Sequence, residues 1–148
     1  LREAGIAFEV VPGISAALGA AAGALIPLTH RDVASDVTFA TAHDLCEPGA
    51  RTDWKRLATG GTLVLYMGAK SIARNLSRLV ELGWKPSTPA AWIAGATRPD
   101  QKVVTGTVGD LAARVAGERH PGPALLIIGE VVSLRARILG TDREGGGA

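Results

Sequence analysis

Three short stretches of this sequence carry residue types suited to holding a small molecule. The first is Val10-Val11-Pro12-Gly13-Ile14-Ser15-Ala16-Ala17. An extended run turned by Pro-Gly into a helix leaves the first backbone amides of that helix unpaired, facing whatever lies beyond the strand end. Such amides hold a carboxylate or a ribose hydroxyl, and the same residues also serve as a plain turn. The second is Met67-Gly68, which closes the apolar run Thr62 to Met67. Open α/β sheets bind ligands at the carboxyl ends of their strands, and a glycine there admits a close backbone approach. The alternative is that Met67 fills a gap in the core. The third is Ile26-Pro27-Leu28-Thr29-His30-Arg31, three polar residues following an apolar helix and a proline. A guanidinium fork at Arg31 suits a substrate carboxylate or is simply solvated, and His30 is either a structural histidine or a proton carrier.

A hydrolase is the competing chemistry. Gly13-Ile14-Ser15-Ala16-Ala17 has part of a nucleophile elbow, with Asp110 and His120 following in the order a hydrolase uses. The second glycine of that motif is absent, Asp110 is better explained as a helix-cap partner, and His120 sits in a loop before Pro121. No catalytic residue is identified; outside the hydrolase reading, His30 and His43 are candidates for a base that removes a proton from a reacting carbon. Cys46 is alone, which excludes a disulfide framework and zinc spacing, predicts no metal, and fits a reducing cytoplasm.

These residues must be positioned by an α/β domain, because short Val-, Ile- and Leu-rich runs alternate with stretches of helical periodicity. Thr62 to Met67, Ala90 to Ala94 and Ala124 to Gly129 read as buried strands, with Asp36 to Ala42 and Lys102 to Thr105 as weaker ones. Between Lys70 and Leu82 the residues Ile72, Leu76, Leu79 and Val80 fall on one helical face and Arg74 and Arg78 on the other. Gly83 ends that helix. Thr107 and Asp110 form a capping-box-like start for a further helix, ending near Gly117, with Val108, Leu111 and Val115 as its buried stripe. Gly13 to Ala24, mostly alanine and small residues, reads as a helix packed closely on backbone or ligand despite the cost of Gly19 and Gly23.

The chain has 148 residues, enough for one domain that buries roughly 70% of its unfolded surface. Its apolar runs are too short for a membrane span. A net charge of +2 without blocks of Lys or Arg gives no support for nucleic acid as a partner.

Val-Val-Pro-Gly-Ile-Ser-Ala, then Ile-Pro-Leu-Thr-His-Arg, then Thr-Leu-Val-Leu-Tyr-Met-Gly, in this order, resemble the uroporphyrinogen-III C-methyltransferases of the tetrapyrrole methylase family. The closing Ala-Leu-Leu-Ile-Ile-Gly-Glu-Val-Val-Ser-Leu-Arg is similar to that family's last strand and helix, so the likeness runs from about Gly5 to Leu139. The resemblance implies a mixed sheet with flanking helices, like the carboxyl-terminal domain of tetrapyrrole methylases. It implies methyl transfer from S-adenosyl-L-methionine to two pyrrole carbons of uroporphyrinogen III, giving precorrin-2 on the route to sirohaem and cobalamin and leaving S-adenosyl-L-homocysteine. It also implies a cytoplasmic homodimer that binds the cofactor in a cleft between two domains.

Carried onto this sequence, the resemblance assigns Ser15, Ala16, Met67 and Ala96 to the cofactor and Thr29, His30 and Arg31 to the substrate. Family members have a glycine where this chain has Ala96, with Gly95 just before it. The family's amino-terminal glycine- and proline-rich loop and its Gly-Gly-Asp-Pro element are absent. The chain is therefore expected to be a carboxyl-terminal part, entered midway. Residues 1–30 would be the end of the amino-terminal domain and a linker helix, 31–140 the α/β domain and 141–148 a disordered tail. A methylase of a later precorrin and an inactive folded fragment are the alternatives.

Overall fold

Strands β1 (Val37–Thr41), β2 (Thr62–Tyr66), β3 (Pro89–Ala94), β4 (Lys102–Thr107) and β5 (Ala124–Ile128) make one mixed sheet in the order β1-β2-β5-β3-β4. The computed structural model describes residues 1–43, 45–47, 53–57 and 60–141, so the tail expected at 141–148 lies outside the described residues beyond Thr141. Among the described residues only β1 and β2 pair in parallel; the β2–β5, β5–β3 and β3–β4 pairs are antiparallel. The helices are α1 (Ala16–Ala24), α2 (Trp54–Leu57), α3 (Ile72–Glu81), α4 (Leu111–Arg114) and α5 (Leu134–Leu139), with short 3-10 turns at Arg2–Ala4, Ala69–Ser71 and Glu130–Ser133.

Side chains alternate across the sheet, and both faces are covered. Leu63, Leu65, Ala90, Trp92, Leu126 and Ile128 point to one side, where Leu76 and Leu79 of α3, Leu111 of α4 and Trp54 and Trp84 pack on them. Val64, Ala91, Ile93, Leu125 and Ile127 point to the other, under Ala17, Ala20, Ala21 and Ala24 of α1 with Ile26, Val131 and Val132. Helix α1 lies close to the sheet because its buried face is alanine. The chain then leaves it through a left-handed Leu25 with φ 55°.

All five expected strands are present, each within two residues of its expected ends. Helix α3 buries Leu76 and Leu79 and exposes Arg74 and Arg78 as its periodicity requires, and it also buries Asn75. Val108, Leu111 and Val115 are buried as expected, but the helix there is a single turn. The capping arrangement is present in half: Asp110 accepts the Thr107 N–H at 2.6 Å, so the carboxylate closes a turn ahead of the helix. The turn of helix at Trp54–Leu57 has no counterpart in the sequence reading. Among the described residues no helix is long and apolar enough to cross a membrane.

Candidate functional site

The pairing registers fix where each strand ends. Strands β1, β2 and β3 run one way and β4 and β5 the other, so one edge of the sheet gathers the ends of β2 and β3 and the starts of β4 and β5. Helix α1 starts at this edge. Its N-cap Ser15 has Oγ 2.5 Å from the Tyr66 hydroxyl, and that hydroxyl also accepts the Ala17 N–H at 3.2 Å. Tyr66 is the last residue of β2 and Met67 follows it, so the entry of α1 at Ser15 and the tip at Met67-Gly68 meet. The turn expected at Pro12-Gly13 is not formed: residues 6–15 run without a turn or bend, and the chain enters the helix at Ser15. Ser15 and Ala16 are exposed there.

Met67 is 74% exposed, which removes the alternative that it fills a gap in the core. It also holds a left-handed backbone, φ 57°, which costs an L-residue roughly 1–2 kcal/mol. The turn it makes is pinned from beneath by the buried Asn75, whose Nδ2 donates to the Gly68 carbonyl at 2.9 Å. Cys46 Sγ in turn donates to Asn75 Oδ1 at 3.8 Å. Asn75 escaped the sequence reading; the available signal was a polar residue three positions after Ile72, inside the apolar stripe.

At the tip of β3, Gly95 is left-handed at φ 57° and Thr97 at φ 66°, the third such non-glycine residue after Leu25 and Met67 among the described residues. A Cβ on Gly95 would lie 2.5 Å from the His120 ring, so the buried imidazole requires glycine at this position. His120 Nδ1 accepts the Gly122 N–H at 3.0 Å, and its Nε2 lies 3.1 Å from the Asp100 carbonyl oxygen. Partial burial pushes the Asp100 carboxyl up. A backbone hydrogen bond, Arg98 and His120 outweigh that push and leave its pKa below the ordinary value. Ala96 is partly buried, its side chain packed against the α1-side core.

Thr29, His30 and Arg31 lie elsewhere along the chain path. His30 and Ala34 exchange backbone hydrogen bonds of 2.9 and 3.0 Å, and His30 Nδ1 accepts the Asp32 N–H at 3.3 Å. His30 is thus engaged in its own turn, with Thr29 and Arg31 exposed beside it. This turn enters β1 at Val37, which pairs with Thr62 at the edge opposite the tips. Among the described residues no hydrogen bond or ion pair links it to Ser15, Met67 or Ala96.

The hydrolase constellation does not assemble. Asp110 follows the carboxyl end of β4, paired with Arg114 at 2.6 Å, whereas His120 packs on Gly95 at the other edge of the sheet. His43 is exposed just after β1.

Residues 1–112 match the model of the family described as Tetrapyrrole (Corrin/Porphyrin) Methylases. The chain belongs to this family. Among tetrapyrrole methylase relatives, it is 45% identical over 139 residues to the uroporphyrinogen-III C-methyltransferase of Bacillus subtilis, covering 93% of this chain and 54% of that protein. It is 43% identical over 146 residues to a siroheme synthase of Hahella chejuensis, covering 96% of this chain and 30% of that protein. The fold superposes on the uroporphyrin-III C-methyl transferase of Thermus thermophilus complexed with S-adenyl homocysteine. That match has a TM-score of 0.71 at 29% identity and covers 90% of this chain and 57% of that one. The chain thus spans between about a third and about half of the length of these relatives.

Proposed function

We propose that this chain forms the carboxyl-terminal half of an S-adenosyl-L-methionine-dependent uroporphyrinogen-III C-methyltransferase, which makes precorrin-2 for sirohaem and cobalamin. In this reading residues 1–30 finish an amino-terminal domain and link it to the α/β domain of 31–140, and the enzyme works as a cytoplasmic homodimer. The carrying observation is the Ser15–Tyr66 hydrogen bond, which holds the start of α1 beside the Met67-Gly68 tip. The relatives' activities and the Thermus complex with S-adenyl homocysteine support the same assignment.

The residues at the tips fit the cofactor. The exposed first turn of α1 at Ser15 and Ala16 presents amides to a carboxylate or a ribose hydroxyl. Met67 offers an exposed apolar side chain to the adenosine. Ala96 replaces the family's glycine without obstruction, because its methyl packs inward on the α1-side core and leaves the backbone to make the contact. When bound, the cofactor supplies an activated methyl on sulfonium, so the protein's task is alignment. Thr29, His30 and Arg31 are assigned to the substrate, with the exposed Arg31 fork as the first carboxylate partner.

Calorimetry with S-adenosyl-L-homocysteine tests the cofactor reading, and micromolar or tighter binding is expected. With the amino-terminal half supplied, uroporphyrinogen III and S-adenosyl-L-methionine should yield precorrin-2. A product only from a later precorrin would reassign the substrate, and absence of any methylated product would leave the inactive-fragment reading. Arg31→Ala should raise KM for the tetrapyrrole, and an unchanged KM removes Arg31 from the substrate side.

A further inference from the structure

We propose that Gln101 is a positioning residue for the cofactor, its side chain tying the β3 tip that carries Ala96 and Thr97 to the helix that carries Ser15 and Ala16. The inference rests on the cofactor reading above and adds to it what sets the spacing of the two walls.

The Gln101 amide works at both ends. Oε1 accepts the Thr97 N–H at 2.8 Å and Nε2 donates to the Gly23 carbonyl of α1 at 2.8 Å. The turn between is closed locally, Arg98 N–H donating to Gly95 O at 3.0 Å and Gln101 N–H to Arg98 O at 3.1 Å. This places Thr97 in its left-handed conformation, an unfavourable one for a β-branched residue, with its amide satisfied only by the glutamine.

Helix α1 is shaped to receive this turn. Gly19 and Gly23 are one helical turn apart, and an interior glycine destabilises a helix against alanine. A Cβ at Gly19 would meet Thr97 Cγ2 at 3.2 Å, and one at Gly23 would meet Gln101 Oε1 at 2.5 Å. An otherwise alanine-rich helix thus carries its glycines where Thr97 and Gln101 lie against it. The bridge requires an acceptor and a donor on one side chain of this length. Glutamine has both, ionised glutamate has no donor, and methionine has no N–H or carbonyl oxygen.

Two variants separate this role from a contribution to stability alone. Gly23→Ala improves the helix but drives the Gln101 amide off the carbonyl, so its Tm should hold or rise. Its affinity for S-adenosyl-L-homocysteine should nevertheless fall on the order of tenfold, because the released β3 tip must be ordered again when the cofactor binds. Gln101→Met should lose affinity to a similar degree, and adding Gly23→Ala to it should cause little further loss. In both single variants, hydrogen exchange at the Thr97 amide should accelerate. Affinities within twofold of the unsubstituted protein, or losses that merely follow Tm, would overturn the proposal. These affinities are measured with the amino-terminal half supplied; failure of the unsubstituted protein to bind S-adenosyl-L-homocysteine then would overturn the cofactor reading, and this inference with it, whereas unchanged affinity in the variants overturns this inference alone.

Discussion

Two side chains at the strand tips hold backbone conformations that favour glycine, Met67 at φ 57° and Thr97 at φ 66°, and strain of this kind collects where a site needs a particular shape. Met67 is largely exposed, so packing does not explain a strained methionine at this position. Met67→Gly should therefore raise stability by about 0.5–1 kcal/mol in urea unfolding while weakening S-adenosyl-L-homocysteine binding in calorimetry. Unchanged affinity would detach Met67 from the cofactor. Asp110 shows the opposite economy, a charged residue that serves the fold. Its hydrogen bond from Arg114, then the one from the Thr107 N–H, hold its carboxyl down to about 2 from the ordinary 3.8. Between these values the unfolded chain binds the extra proton, so the stabilisation is complete above 3.8 and disappears as pH falls through about 2. Asp110→Asn should flatten that stretch of the acid limb, measured as the urea midpoint against pH, and an unchanged limb would contradict the assignment.

At the scale of elements, the same helix illustrates what periodicity reports and what it does not. The buried faces of α3 and of the segment from Val108 to Val115 were legible because spacing encodes which side is apolar. The shortness of α4 was not, since a turn, a single helical turn and another turn bury Val108, Leu111 and Val115 as well as a continuous helix would. Strands β2, β3 and β5 were legible because burial on both faces makes each a nearly unbroken apolar run, whereas the edge strands β1 and β4, half exposed, gave weaker signals. The candidate site was legible as separate signals at Ser15 and Met67. The pin between them, the Tyr66 hydroxyl, and the supports at Asn75 and Gln101 depend on contacts between residues far apart in sequence. Asn75→Ala should cost about 1–3 kcal/mol, because the buried Gly68 carbonyl loses its donor. Arg78→Ala on the opposite face, which breaks only an exposed pair with Glu81, should change the urea midpoint by less than about 0.5 kcal/mol. Equal effects would show that Asn75 is not the turn's support.

For the molecule as a whole, the sheet is covered on both faces, yet apolar side chains stand in solvent along the first eighteen residues. Phe8, Val10, Val11, Ile14 and Leu18 are each more than half exposed, and they lead to the same edge as Met67. Large exposed apolar side chains gathered in one short segment suit contact with another surface. In the proposed enzyme that surface belongs to the amino-terminal half, which would close over the cofactor from the side opposite the strand tips. An apolar dye such as anilinonaphthalene sulfonate should therefore fluoresce on this chain, and the signal should drop when the amino-terminal half is supplied. Val10→Glu with Ile14→Glu makes the expectation specific to these residues. Both positions are exposed, so the urea midpoint of the chain should stay within about 0.5 kcal/mol. Dye binding should fall, and recovery of methyl transfer on supplying the other half should be lost. If the doubly substituted chain still recovers full activity, the covering surface lies elsewhere and residues 1–30 are not the join between the two halves.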